Sequence, residues 1–260
     1  MTITQGATEL AEILSPSQVR CFMDCQMRWW FKYGLKLPDP QNGKLALGKA
    51  VHAALTANFA QKIESYEDLP DIGVRALFRE AWASECERTE FSDDEDPAEL
   101  RASGEGLIQI FMDQVAPHIE PVATEVRVEG QIGGVTVQGW IDVMDIDGRI
   151  IEIKTAARRP QAIAPDHKFQ LATYLQLTPG ARGTARVDTL VKTKVPALIT
   201  QEYVPSDADF MATRKLYELA QETMRKELFM PNRLSLNCSR RNCSYWRCCE
   251  QEWGGEVPEK

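Results

Sequence analysis

Apolar positions follow two different periods along the chain. In the first half they recur every three to four residues, which is the spacing of one face of an α-helix. From about Ala123 onward they alternate with polar residues, as along 125–132, which is the pattern of a half-buried strand. The first half is therefore predicted to be mostly helical, with helices over about residues 17–33, 46–64, 71–88 and 97–116.

The second half alternates strands with helices. A hairpin follows the first strand, and a helix over about residues 166–177 separates it from a strand at 189–193. Strand, helix and strand in that order predict a right-handed crossover and a mixed sheet flanked by helices, so the expected fold class is α/β. A last helix over about 207–229 leads into a cysteine-rich tail.

The hairpin carries three charged residues, Asp142, Glu152 and Lys154. Glu152 and Lys154 share one strand face because side chains alternate, whereas Ile153 points to the core. A three-residue loop at 146–148 pairs Asp142 with Glu152, while a two-residue loop pairs it with Ile153 and turns it away. The glycine that ends the longer loop fits its left-handed position, so this loop is the predicted one.

Two carboxylates beside a lysine have a chemical reason to share one face. Carboxylate oxygens hold Mg²⁺ or Mn²⁺, the cation carries a phosphate and its attacking water, and the lysine orients that water or offsets negative charge. The alternative is a surface hairpin with an ordinary cross-strand ion pair, which contributes little to stability. The spacing of the three residues leaves both interpretations open.

Further polar residues lie before and after the hairpin. His52 has apolar neighbours in the second predicted helix, and Gln170 and Tyr174 lie one helical turn apart on one face. Taken singly, each fits a hydrogen-bonded or half-buried polar residue. Their order along the chain is Gly-x3-His, Asp, Glu-x-Lys and Gln-x3-Tyr. In this order the chain resembles the RecB-like branch of the PD-(D/E)XK nucleases.

The resemblance implies a restriction-endonuclease-like fold and a role for each matching residue. The implied ligands of Mg²⁺ or Mn²⁺ are His52, Asp142, Glu152 and the carbonyl of Ile153. The implied catalytic residues are Lys154, Asp142 and Glu152, with Gln170 and Tyr174 contacting DNA and steadying the active site. Imidazole favours Mn²⁺ over Mg²⁺. Glu125 or Glu129 could add a carboxylate, although each also fits a solvent-facing strand position.

The seven cysteines are a second distinctive feature. They are Cys21 and Cys25 in the first predicted helix, Cys86 alone, and Cys238, Cys243, Cys248 and Cys249 in the tail. Without a signal peptide or an apolar run near 20 residues, we expect a reducing, cytoplasmic setting and no membrane partner. In that setting such clusters bind metal more often than they form disulfides.

Three spaced tail cysteines are too few for a closed metal site, so a fourth ligand must come from elsewhere. In the iron-sulfur members of the resembled branch, it is a cysteine of the first helix. The resemblance implies a 4Fe-4S cluster on Cys25, Cys238, Cys243 and Cys249, with Cys21 and Cys248 as alternatives to Cys25 and Cys249. This chain has four residues between the second and third cysteines, where the family usually has two. Zn²⁺ is an alternative occupant of the four-cysteine site.

Length and composition limit the number of domains that the chain can form. With 260 residues and 43% hydrophobic content the chain can form one large core, so a single nuclease domain over 1–260 is predicted. Its expected parts are a mainly helical part with His52 at 15–120, a catalytic α/β core at 121–205, and a helix and cysteine-cluster tail at 206–260 packing on the N-terminal helix.

The net charge of -8 is unusual for a protein that handles nucleic acid, but it is unevenly distributed. Residues 20–49, 149–194 and 214–247 carry net charges of +4, +6 and +5, and they contain most of the candidate site residues. The pattern predicts a basic groove on an acidic body, which suits local DNA binding.

Together these features predict a metal-dependent DNA exonuclease that acts on single-stranded or frayed ends. The resemblance implies phage recombination and repair or CRISPR adaptation as its setting, with DNA and a protein of that pathway as partners. Trp29, Trp30 and Tyr33 could stack on bases or pack in the core. Two alternatives are a partner-activated end-processing endonuclease subunit and a non-catalytic DNA-binding scaffold with a four-cysteine metal site. Digestion polarity, RNA tolerance and oligomeric state stay open.

Overall fold

The computed structural model describes residues 12–181 and 183–259. Their contacts divide the chain into two compact units. The core unit comprises residues 40–128 and 140–205, and the tail unit comprises residues 12–39, 129–139 and 206–259. The single nuclease domain over 1–260 stays a prediction, and its residues 1–11, 182 and 260 lie outside the described part.

The helices and strands follow the predicted order closely. The helices are α1 (Pro16–Asp24), α2 (Gln26–Trp29), α3 (Gly43–Ser65), α4 (Asp71–Cys86), α5 (Pro97–Gln114), α6 (Pro165–Leu177), α7 (Asp207–Arg225) and α8 (Trp246–Trp253). The strands are β1 (Ile13–Leu14), β2 (Pro121–Ile132), β3 (Val135–Asp145), β4 (Ile150–Ala156), β5 (Ala185–Val191) and β6 (Ala197–Tyr203). The predicted α/β class is confirmed. Among these described helices, none is both long and apolar enough to cross a membrane.

Helix α3, which carries His52, has a fixed start and a fixed end. The Asn42 side chain accepts a hydrogen bond from the backbone N–H of Leu45 at 2.9 Å. The Glu95 carboxylate accepts further bonds from the first N–H groups of the helix. Tyr66 closes the helix in a left-handed conformation with φ +63°. These caps fix where the histidine of the predicted site lies along its helix.

An apolar core holds α3, α4 and α5 against the strands of the core unit. Phe59 of α3 meets Phe111 of α5 edge to face, with ring centroids 5.9 Å apart. On the strand side, Ile151 and Ile153 are buried in the same core. Ile153 was predicted to point inward, and Glu152 between the two isoleucines therefore points to the opposite face of β4.

The sheet of the core unit is mixed, as predicted. Strands β3 and β4 are antiparallel, β4 and β5 are parallel, and β5 and β6 are antiparallel. Helix α6 connects the parallel pair, so the predicted strand–helix–strand unit is present. Strand β5 begins at Ala185, earlier than predicted. Strand β6 was not predicted, because its half-buried side chains alternate only weakly.

The β3–β4 hairpin has the predicted three-residue loop. Val143 pairs with Ile151, and the Asp145 N–H donates to the Arg149 carbonyl at 3.1 Å across the loop. Gly148 adopts φ +72°, the left-handed conformation that this loop requires. Extending the register by one pair sets the two predicted carboxylates opposite each other.

The first helical segment of the tail unit is interrupted at Cys25. Helix α1 begins as predicted, with the Ser15 side chain accepting a hydrogen bond from the Gln18 N–H at 3.3 Å. At Cys25 the backbone is extended, with φ -158° and ψ 115°, so the continuous helix predicted over 17–33 is wrong. A side chain from the distant tail stabilises the break, because the Asn232 amide donates to the freed Asp24 carbonyl at 2.9 Å.

The aromatic residues that follow the break pack inside the tail unit. Trp29 is 0% exposed and Trp30 is 3% exposed. The Trp30 ring stacks on Phe229 with centroids 5.1 Å apart and planes 11° from parallel. Tyr33 is half-buried beside Trp29. Base stacking by the two tryptophans is therefore wrong, and the alternative of core packing is confirmed for them.

Candidate functional site

Two buried carboxylates lie side by side on β3 and β4 of the core unit. Asp142 Oδ2 accepts a hydrogen bond from the backbone N–H of Ile153 at 2.8 Å, which joins the strands at this point. Glu152 is 2% exposed, and its Oε1 forms an ion pair with Nζ of Lys154, two residues along the same strand face. The structure thus brings Asp142, Glu152 and Lys154 together. The role of the Ile153 carbonyl as a ligand stays a prediction.

His52 approaches these carboxylates from helix α3. Its Nε2 lies 2.9 Å from Asp142 Oδ1 and 3.5 Å from Glu125 Oε1. Among the described residues, this buried nitrogen has no other polar partner than these two carboxylates. Burial lowers the pKa of His52, but the carboxylates of Asp142, Glu125 and Glu152 outweigh burial and raise the pKa above its ordinary value.

Glu125 reaches the site through an irregularity in strand β2. Its backbone has φ +49°, a left-handed conformation that is unusual for a non-glycine residue in a strand. A local irregularity of this kind re-aims a side chain. The sequence left Glu125 and Glu129 open as extra carboxylates or solvent-facing residues. The structure places Glu125 beside His52 and assigns Glu129 to the tail unit.

Glu152 is held in an environment that opposes its charge. Burial, reinforced by the charge of Asp142, raises the pKa of Glu152 to about 7, although Lys154 and His52 act in the opposite direction. Its Oε2 is buried and has no hydrogen-bond partner within residues 12–181 and 183–259. A buried carboxylate oxygen without a partner is costly for folding alone, so a positively charged ligand would complete its environment.

Helix α6 supplies the last two predicted residues, Gln170 and Tyr174. The Gln170 amide donates to Glu152 Oε1 at 2.8 Å and to the Tyr174 hydroxyl at 2.9 Å. Tyr174 is buried, and burial followed by the nearby charge of Glu152 raises its pKa. Lys154 and Gln170 therefore contact the same carboxylate oxygen, one from the strand and one from the helix.

The side chains present fit a divalent cation. One donor atom each from His52, Glu125 and Asp142 lie within 4.8 Å of one another. Imidazole and carboxylate are ligands that Mg²⁺ and Mn²⁺ accept. Such a cation would bind to His52 Nε2 and to Glu152 Oε2, which has no hydrogen-bond partner among the described residues. Of the predicted ligands, His52, Asp142 and Glu152 meet here, and Glu125 joins them.

Four cysteines come together at one cavity of the tail unit. Cys25, Cys238, Cys243 and Cys249 line it. The competing residues Cys21 and Cys248 do not line it, and Cys86 belongs to the core unit. The break between α1 and α2 matters here, because it releases Cys25 from the helical backbone and turns its side chain toward the tail.

Cys249 is buried, and the other three cysteines of the cavity are half-buried. The Asn232 N–H donates to Cys25 Sγ at 3.4 Å. Burial raises the pKa of the Cys249 thiol to about 11, against a lowering effect of Arg233, and the other three cysteines of the cavity add to the rise. Such thiols are neutral unless a cation stabilises the thiolate form. Asp24 ties the tail to α1 by accepting a bond from Ser235 at 2.6 Å.

Paired carboxylates, a histidine and a lysine on a mixed sheet flanked by helices are the groups with which metal-dependent nucleases cleave phosphodiesters. The chain belongs to the PD-(D/E)XK nuclease superfamily, whose family model matches residues 13–250. No curated protein matches the chain.

Two solved structures are similar to the chain. The crystal structure of a "putative exonuclease" from Eubacterium rectale superposes with a TM-score of 0.62 at 12% identity, and the match covers 98% of this chain and 93% of that one. The crystal structure of SSO0001 matches with a TM-score of 0.39 at 14% identity, covering 88% of this chain and 95% of that one. The first of these likenesses shows the fold.

Proposed function

We propose that the protein is a metal-dependent DNA exonuclease of the RecB-like branch that acts at single-stranded or frayed ends. The proposal rests on the contacts that other side chains of the site make with the Glu152 carboxylate. Its Oε1 contacts Lys154 and Gln170, while its Oε2 faces no partner among the described residues. A nuclease needs a buried carboxylate held in one orientation beside a lysine, whereas a structural ion pair has no need of the glutamine.

Four side chains would hold the cation, which is Mg²⁺ or Mn²⁺. They are His52, Glu125, Asp142 and Glu152. A bound divalent cation lowers the pKa of its water and offsets negative charge on a phosphate. Burial of the carboxylates excludes bulk water from this side of the site, so the cation would not be fully hydrated.

The other residues of the site would position the Glu152 carboxylate and act on the attacking water or the phosphate. Lys154 would hold the attacking water or offset charge developing on the phosphate, because its ammonium is fixed by the ion pair to Glu152. Gln170 fixes the orientation of the Glu152 carboxylate, and Tyr174 in turn fixes the Gln170 amide. The network explains why Gln and Tyr one turn apart accompany the Glu-x-Lys strand.

The test is digestion of 5′- and 3′-labelled single- and double-stranded DNA with Mg²⁺ or Mn²⁺. We expect the wild type to cleave DNA and EDTA to stop the cleavage. Lys154→Ala should lower the cleavage rate at least about 100-fold, because a side chain that orients the attacking water or offsets charge on the phosphate contributes that much. Lys215→Ala is the matched control, since Lys215 is an exposed lysine of the tail unit. The label released first gives the polarity of digestion.

Three outcomes would change the proposal. No cleavage by folded wild type, with strong cleavage once a recombination or CRISPR-adaptation partner is added, would indicate the partner-activated endonuclease subunit. DNA binding without cleavage under any of these conditions would indicate the non-catalytic scaffold. Full activity of Lys154→Ala would show that the lysine is structural.

A 4Fe-4S cluster is our proposed occupant of the four-cysteine cavity. The N–H to sulfur contact at Cys25 is of the kind that tunes iron-sulfur clusters. Zn²⁺ is the alternative occupant, because it also accepts four thiolate ligands.

A further inference from the structure

Trp140 is an exposed aromatic residue next to the proposed catalytic carboxylates. It lies on β3 two residues before Asp142, so the two side chains share one face of the strand. Asp142 is buried, whereas Trp140 is 46% exposed. An exposed indole ring at the edge of a polar site offers a flat apolar surface to a ligand.

A basic side chain accompanies the ring. The Arg127 guanidinium on β2 lies 5.9 Å from the centroid of the Trp140 ring, within the range of a cation–π contact. Strands β2 and β3 are neighbours in the sheet, joined by a turn at Gly133 and Gly134 with positive φ. Together, the tryptophan offers an aromatic face and the arginine a positive charge at the same place.

The backbone of Trp140 is connected to the proposed active site. It hydrogen-bonds with the Tyr174 hydroxyl, which also accepts from the Gln170 amide. Gln170 in turn contacts Glu152. A continuous set of hydrogen bonds therefore fixes the position of the tryptophan relative to the buried carboxylates.

We propose that Trp140 and Arg127 form a stacking platform for one unpaired nucleotide beside the scissile phosphate. The inference rests on the proposed nuclease function and names its substrate class as single-stranded DNA. Inside a duplex both faces of a base are covered by its neighbours, so an exposed indole stacks best on an unpaired base that has left the stack. Arg127 would contact the phosphate of the same nucleotide.

The experiment measures binding, so that it has a readout apart from cleavage. Fluorescence anisotropy in EDTA compares labelled oligothymidylate with an oligonucleotide of equal length in which abasic sites replace the bases. We expect the wild type to bind the thymidylate about tenfold more tightly, which lies within the range that base–aromatic stacking supplies. Trp140→Ala should abolish this preference without changing affinity for the abasic strand, and Trp140→Phe should retain most of it.

Trp253→Ala is the matched control. Trp253 is 48% exposed, close to the exposure of Trp140, and belongs to the tail unit, so its removal should leave the preference unchanged. A preference that survives in folded Trp140→Ala would overturn the inference, and DNA cleavage by the wild type would then leave the nuclease proposal intact. Loss of the preference in that variant would support the platform even if the wild type cleaves no DNA.

Discussion

At the scale of single residues, the cost of burying Glu152 indicates a ligand. Its carboxylate is almost fully buried beside that of Asp142, and one of its oxygens has no partner among the described residues. Replacing a whole buried ion pair with apolar residues of similar volume is often neutral or stabilising in a protein that needs only to fold. The retained carboxylate, with Lys154 and Gln170 on its other oxygen, is therefore best explained by the chemistry of the site.

Substitution of Glu125 tests whether this residue is a ligand of the proposed cation. Glu125→Gln keeps the shape of the side chain and removes its charge, so we expect Mn²⁺ binding to weaken at least about tenfold. Calorimetric titration with Mn²⁺ gives the affinity directly, and Glu129→Gln is the control on the same strand. Equal affinities of the Glu125 variant and the wild type would exclude Glu125 from the ligands.

At the scale of elements, the sequence predicted what local patterns determine. The hairpin register followed from loop length and one glycine, and both are properties of a few adjacent residues. The helix break at Cys25 was missed because Asn232, from far along the chain, stabilises it. The position of Glu125 was left open because its left-handed backbone interrupts the alternation on which a strand prediction depends.

The hairpin loop makes a prediction at this scale. Gly148→Ala forces a side chain into φ +72°, and we expect it to lower the free energy of unfolding by about 1–2 kcal/mol. Gly73→Ala in α4 is the opposite case, since an added Cβ there meets nothing within 4 Å, and it should raise stability by about 0.5–1 kcal/mol. Urea denaturation of both variants checks the signs. An unaffected Gly148→Ala would mean that the loop does not depend on the left-handed glycine.

At the scale of the whole molecule, the four-cysteine cavity joins residues from opposite ends of the described chain. A cluster bound there would link Cys25 to Cys238 and close the long loop between them. In the chain-entropy treatment used for disulfides, closing so long a loop removes about 5 kcal/mol of unfolded-state entropy. The cluster would therefore support catalysis by stabilising the fold, without taking part in the reaction.

Single serine substitutions test this role and the choice of ligands together. We expect the purified protein to be brown, with broad absorbance near ~400 nm. Cys249→Ser should lose the colour and lower the melting temperature by on the order of 10 °C, as loss of about 5 kcal/mol implies for a chain of this size. Cys248→Ser, one residue away but outside the cavity, should keep both.

The pattern across the cysteines separates the possible occupants and ligand sets. Cys21→Ser should behave like Cys248→Ser, because Cys21 does not line the cavity, whereas Cys25→Ser should behave like Cys249→Ser. A colourless protein with one equivalent of bound Zn²⁺ would refute iron and keep the four ligands. Loss of metal in Cys248→Ser with retention in Cys249→Ser would instead show that the ligand set is wrong. Stability that follows metal content across all four variants would establish that the bound group holds the tail to the first helices.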